Sequence, residues 1–126
     1  MRKTKQSGGY CAVVDNEMLN RKRYIMLIKR SNKPLGDTVN KIVDLTMHVK
    51  GKDIGVEICC SSYLHGRYDW MFCFTAEDIR HAKKFSELLT KEYGQIISEI
   101  HLLEDIFSVK NCNVVNPNIE KLREFL

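Results

Sequence analysis

Five consecutive apolar residues, Tyr24-Ile25-Met26-Leu27-Ile28, sit between the basic stretches Arg21-Lys22-Arg23 and Lys29-Arg30. Successive side chains of a strand point to opposite faces, so this run presents apolar groups on both. A strand of that kind belongs inside a sheet whose two faces are both covered. Any fold for this chain has to supply that cover.

The rest of the chain places this strand in an order. A shorter apolar run, Tyr10 to Val14, precedes it and is stopped by Asp15-Asn16. After it, Ser31 to Gly36 reads as a turn by its Pro and Gly. Asp37 then caps a helix predicted over Thr38 to Lys50. Val39, Ile42, Val43, Thr46 and Met47 form its inward stripe, and Gly51 ends it. Ile54, Val56, Ile58 and Cys60 alternate with smaller or polar residues, a strand period. Tyr63 to Arg67 form a turn around Gly66, and Asp69 to Thr75 form the next strand, with Trp70, Phe72 and Phe74 sharing one face.

Thr75-Ala76-Glu77-Asp78 fits a capping box at the head of a second helix. That helix runs to about Tyr93, with Ile79, Ala82, Phe85, Leu88 and Leu89 inward, and Gly94 closes it. Ile96 to Phe107 make a last long strand. Asn116-Pro117 opens a short C-terminal helix with an apolar face of Ile119, Leu122, Phe125 and Leu126.

The order is one strand, then β-α-β-β-α-β, then a short helix. The fold class is α+β and ferredoxin-like, in the manner of dimeric α+β-barrel or ACT-like domains. Two helices cover one sheet face and leave the other bare. A bare apolar sheet exceeds what a soluble monomer ordinarily exposes, and a second copy is the simplest cover. The expected assembly is a homodimer or a higher oligomer.

At 126 residues the chain is one domain's worth. The division expected is a basic flexible arm over 1–9, a ligand-binding and dimerisation domain over 10–110, and a helical extension over 111–126. Apolar content of 44% and charged content of 29% are ordinary for a globular protein. No apolar stretch is long enough for a membrane span, and residues 1–9 lack a secretory h-region. A cytoplasmic protein is expected, without membrane contact. The five cysteines, Cys11, Cys59, Cys60, Cys73 and Cys112, are odd in number and form no CxxC pair. They read as buried thiols, and no metal or cofactor site is expected. Residues 1–33 hold nine Lys/Arg against two acidic residues, whereas the remainder carries net −3. Such a leading segment can touch an acidic partner, though a solvated terminus explains it as well.

The turn His65-Gly66-Arg67-Tyr68-Asp69, then an apolar strand and a helix, resembles the regulatory domain of leucine-responsive, Lrp/AsnC-type regulators. Gly9 to Asn20 is similar to that family's linker strand and turn, and Gly94 to Leu103 to its final strand. The resemblance covers about residues 9–110. It implies dimers that face their sheets, assembled further in some members, and an amino acid or related small molecule bound between dimers. Backbone around the glycine of Gly-x-Tyr-Asp would receive the ligand carboxylate and the aspartate its ammonium. The ligand-binding residues carried over are Gly66, Arg67, Tyr68, Asp69 and Ser98. A Gly turn beside an Asp suits such a zwitterion, although Gly66 and Asp69 can equally be the residues that make the turn.

Two departures stand out. Only nine residues precede Tyr10, too few for the family's helix-turn-helix, so direct sequence-specific DNA reading is not expected of this chain. Ile100 also stands at a commonly polar position of the last strand. The expected function is therefore effector binding and oligomerisation in transcriptional regulation through a partner, with a full-length regulator of the same type as one candidate, without catalysis.

Three rivals share the pattern. An RNA-recognition module needs stacking aromatics on its two central strands, and Arg67 and Asp69 fall where two of them belong. A dimeric α+β-barrel enzyme needs convergent titratable groups; of His48, His65, His81 and His101, only His65 lies on a turn, and His48 and His81 are expected to face outward. A ligand-free dimerising scaffold is the third.

Overall fold

The computed structural model describes residues 21–126. The Tyr10–Val14 run and the basic arm lie outside these residues. Strands β1 (Lys22–Arg30), β2 (Glu57–Tyr63), β3 (Trp70–Ala76) and β4 (Ile97–Asp105) form one sheet. Its order is β2-β3-β1-β4, with every neighbouring pair antiparallel. Helices α1 (Thr38–Val43), α2 (Thr46–Asp53) and α3 (Ile79–Tyr93) complete the ferredoxin-like core. A two-stranded ribbon, β5 (Lys110–Asn111) with β6 (Val114–Val115), and a 3₁₀ turn over Ile119–Phe125 follow it.

The apolar run that opens the pattern is the second-from-edge strand β1. Register pairs Tyr24 with Phe74, Met26 with Phe72 and Ile28 with Trp70, all on the helix side. Tyr24, Met26, Ile28, Phe72 and Phe74 are fully buried there, together with Phe85 and Leu89 of α3. Each such side chain contributes about 1.5–3 kcal/mol by leaving water. Phe85 anchors the helix, its ring 4.8 Å from Phe74 and 5.6 Å from Phe72. Gly51 sits beneath it: a Cβ there would meet Phe85 Cε1 at 3.3 Å, so a bare α-carbon lets α2 approach α3.

The first helix departs from its predicted form. In place of one helix over Thr38 to Lys50, the chain breaks at Leu45, whose φ is 57°, and restarts as α2. Leu45 cannot continue a right-handed helix in that conformation. The predicted stripe breaks with it: Met47 is buried, but Val39 and Val43 are exposed and α1 buries no residue. Asp37 makes no side-chain cap, and Gly51 lies inside α2.

Other boundaries shift for local reasons. Asp78, not Thr75, is the N-cap of α3, accepting the His81 amide at 3.1 Å. Thr75 stays in β3, where its hydroxyl and carbonyl take the Arg21 guanidinium at 3.1 and 2.8 Å. Gly94 is right-handed and carries the helix on into a 3₁₀ turn to Ile96. Strand β2 starts at Glu57, and a bulge between Ile58 and Cys60 interrupts its alternation. The C-terminal helix is a 3₁₀ turn beginning at Ile119 rather than at Pro117.

The open sheet face carries Ile25, Leu27, Met71 and Leu103. Ile25 pairs with Cys73 and Leu103, and Leu27 with Met71 and His101. Ile25, Leu27 and Met71 are half-buried, and Leu103 is exposed. Neither β1 nor β3 offers this face an aromatic ring, because Tyr24, Trp70, Phe72 and Phe74 all point the other way. The stacking platform of an RNA-recognition module is missing from these two strands. Of the four cysteines among the described residues, only Cys73 is buried; Cys59, Cys60 and Cys112 are exposed, against the expectation of buried cysteines.

Candidate functional site

The hairpin between β2 and β3 folds back on the end of β1. Leu64 N–H donates to Asp69 carbonyl at 2.9 Å, closing the turn. Asp69 N–H donates to Ile28 carbonyl at 2.9 Å, and Asp69 Oδ2 accepts the Arg30 N–H at 2.8 Å. Asp69 thus holds β1 at two points. Gly66 lies at the turn's tip with φ 140°, which an L side chain rarely adopts, and open space surrounds it.

The last strand reaches the same place. The pairing of β1 with β4 shifts register between Lys29 and Arg30. Ser98 Oγ donates across that shift, to Lys29 carbonyl at 3.3 Å and Arg30 carbonyl at 3.1 Å. The Arg30 residue is held by Asp69 on its amide and by Ser98 on its carbonyl. Ser31 continues the seam, its N–H donating to Ile96 carbonyl at 2.8 Å and its hydroxyl to Gln95 carbonyl at 2.9 Å.

Tyr68 crosses to β4. Its ring meets the His101 imidazole edge-on, centroids 5.5 Å apart, and the Arg67 guanidinium lies 6.0 Å from the Tyr68 ring centre. His101 Nε2 is 3.4 Å from Glu99 Oε2. The structure therefore gathers Arg67, Tyr68, Asp69 and Ser98 around the end of β1, with Gly66 at the hairpin tip. It adds His101 and Arg30, which no local motif singled out. The register of β4 is the signal that finds His101, since it sits opposite Leu27 and so on the open face. The same register turns Ile100 toward the core opposite Ile28, away from the hairpin's partners on that face.

Chemically, this end offers a carboxylate, a hydroxyl, an imidazole and a glycine turn within one neighbourhood. Asp69 spends one oxygen on the Arg30 amide, and a carboxylate has lone pairs for further donors. No group of three or more His, Cys, Asp or Glu among the described residues is placed to hold a metal ion. No helix among them is long and apolar enough to cross a membrane. His81 is not a free outward group: its Nδ1 lies 2.8 Å from Asp78 Oδ1.

No family model and no curated protein matches the sequence. Solved structures do share its fold, two of them named as transcriptional regulators. An AsnC family transcriptional regulator from Agrobacterium tumefaciens superposes with a TM-score of 0.57 at 12% identity, over 79% of this chain and 60% of that one. The transcriptional regulator NMB0573 from Neisseria meningitidis, in complex with L-Met, gives 0.57 at 13% identity, over 90% of this chain and 71% of that one. PH0061 gives 0.55 at 16% identity, over 79% and 61%. The chain spans about three fifths of the length of the first and the last of these. The fold is the α+β, ferredoxin-like one found within AsnC family regulators.

Proposed function

We propose that this chain is an effector-sensing and oligomerising domain of Lrp/AsnC type, serving transcriptional regulation. The observation that carries the reading is the convergence of hairpin and last strand on Arg30, through Asp69 and Ser98. It places a carboxylate beside a glycine turn at the rim of an apolar, open sheet face. An amino acid or close relative suits such a rim: its ammonium meets Asp69, and its carboxylate meets the backbone around Gly66 and the Arg67 side chain. Ser98 and Tyr68 frame the space, and a neighbouring subunit closes it. Ile25, Leu27, Met71 and Leu103 support a sheet-to-sheet dimer, since together they make an apolar patch that association would bury. That one neighbour of the same fold is complexed with L-Met makes L-methionine the first probe.

The test is a thermal-shift screen of the L-amino acids, L-methionine included, with sedimentation run in parallel. Binding to the folded state alone raises the melting temperature. A stabilising amino acid whose effect is lost in Asp69→Asn, on a protein that sediments as a dimer or larger, supports the reading. Lone protomers at micromolar concentration, or a screen with no hit, would count against it.

A further inference from the structure

The break at Leu45 leaves a gap on the other side of the sheet, remote from the open face. Strand β2 is exposed along nearly its whole length, because α1 buries nothing and α2 buries only Met47 and Gly51. Between these helices and the β2 edge lies a cavity of about 320 Å³. That is about twice the roughly 150 Å³ void known to accept benzene.

The floor is aromatic. Trp70, Phe72 and Tyr93 line it, with the Trp70 ring 4.6 Å from Phe72 and 5.6 Å edge-on from Tyr93. Tyr93 is 2% exposed, and its hydroxyl is buried without a hydrogen-bond partner among the described residues. An unmatched buried hydroxyl costs free energy that a ligand oxygen would recover. Ser61 adds a second hydroxyl, which already accepts the Trp70 indole N–H at 3.0 Å and keeps its own proton to donate.

The rim is cationic. Lys41 lines the cavity with its ammonium 5.8 Å from the Tyr93 ring centre. It donates to Glu92 Oε1 at 3.3 Å and to the Glu92 carbonyl at 3.2 Å, while Lys50 holds the carboxylate at 2.6 Å. Glu92 keeps Lys50 as its partner when Lys41 turns to a ligand. His48 also lines the cavity and stays neutral, its pKa lowered by burial and then by the Lys52 charge. Lys41 is the one charged side chain in the lining, which favours an anion over a cation.

From this arrangement we infer a second ligand site within the protomer, for a small carboxylic acid with an aromatic or branched apolar body. The ring or branch lies against Tyr63, which stacks on Trp70 at 5.1 Å, and the carboxylate takes Lys41 and the Tyr93 hydroxyl. The site needs no second subunit and does not depend on the hairpin reading.

Trp70 is the single tryptophan of the chain, so its emission reports on the cavity directly. The probe is phenylacetate, with phenylacetamide as its uncharged counterpart. The expected result is a saturable change in Trp70 fluorescence, with phenylacetate binding more tightly than the amide. Tyr93→Phe weakens phenylacetate by about tenfold or less, as loss of one hydrogen bond does. Lys41→Gln, on a side chain 45% exposed, removes the preference for the acid over the amide. Circular dichroism checks both variants for folding. No saturable change at millimolar phenylacetate would overturn the inference. So would a preference for the acid that survives Lys41→Gln.

Discussion

The Asp69 carboxylate accepts the backbone amide proton of Arg30 at 2.8 Å, tying the β2–β3 hairpin to the end of the strand beside it. This bond gives one residue two duties, since the oxygen that fixes the hairpin belongs to the carboxylate proposed to meet an effector's ammonium.

The two duties separate by substitution. Asp69→Asn keeps an oxygen for the Arg30 amide and removes the charge. Asp69→Ala removes both and leaves a part-buried amide without its acceptor, a loss of about 1–3 kcal/mol. Urea denaturation should place Asp69→Asn within about 0.5 kcal/mol of the parent and Asp69→Ala clearly below it. An Asp69→Ala variant as stable as the parent would deny the carboxylate its structural role.

Leu103 lies on the open face opposite Ile25 and is 48% exposed. Leu103→Glu should leave the fold intact while placing charges against each other across a sheet-to-sheet interface. Sedimentation velocity at micromolar concentration should then show protomers where the parent shows a larger species. An unchanged sedimentation coefficient would place the interface elsewhere.

Asp78 caps α3 and is held well below the usual carboxylate range, first by its hydrogen bond to the His81 ring, then by the His81 amide, with Arg80 adding to both. A depressed carboxylate stabilises the fold above its unfolded pKa, about 3.9, and that contribution is lost as pH falls through the lower folded value. Asp78→Ala should lower the melting temperature by a few degrees at neutral pH. The gap between parent and variant should begin to narrow below about pH 4 and keep narrowing as pH falls further. Melting curves across this range check it; a gap that persists in strong acid would mean the cap acts without its charge.

Cys73 faces Cys60 across the β2–β3 pair and is 7% exposed, and burial pushes its thiol pKa up. Alkylation requires thiolate and access. Iodoacetamide at neutral pH should therefore modify Cys60 and Cys112 well before Cys73, as peptide mass spectrometry would show. Cys73 reacting at the same rate as Cys60 would mean that this part of the sheet opens in solution.

Much of the sheet was legible in the chain. The alternation of Trp70, Phe72 and Phe74 put them on one face, without telling which side of the sheet it is. The helical spacing found Ala82, Phe85 and Leu89, because burial of large side chains obeys the period of the element that carries them; Ile79, expected in the same stripe, is 42% exposed at the helix's first turn. The first helix was not legible: Val39 and Val43 have helical spacing yet stay exposed, since the break at Leu45 turns their stripe away from the sheet. The Gly66 and Asp69 turn was visible as a motif. Its tie to Arg30 and Ser98 was not, because those residues meet only through strand register.

What the sequence determined by itself is therefore local: which segments are strands or helices, and which positions of each are apolar. Tertiary structure alone decided which distant side chains share a neighbourhood. It brought Tyr68 against His101, set Asp69 and Ser98 on the two sides of Arg30, and left a cavity under Tyr93. The reason is that a period of two or 3.6 residues fixes direction within an element, whereas contact between elements depends on strand order, register and the left-handed break at Leu45.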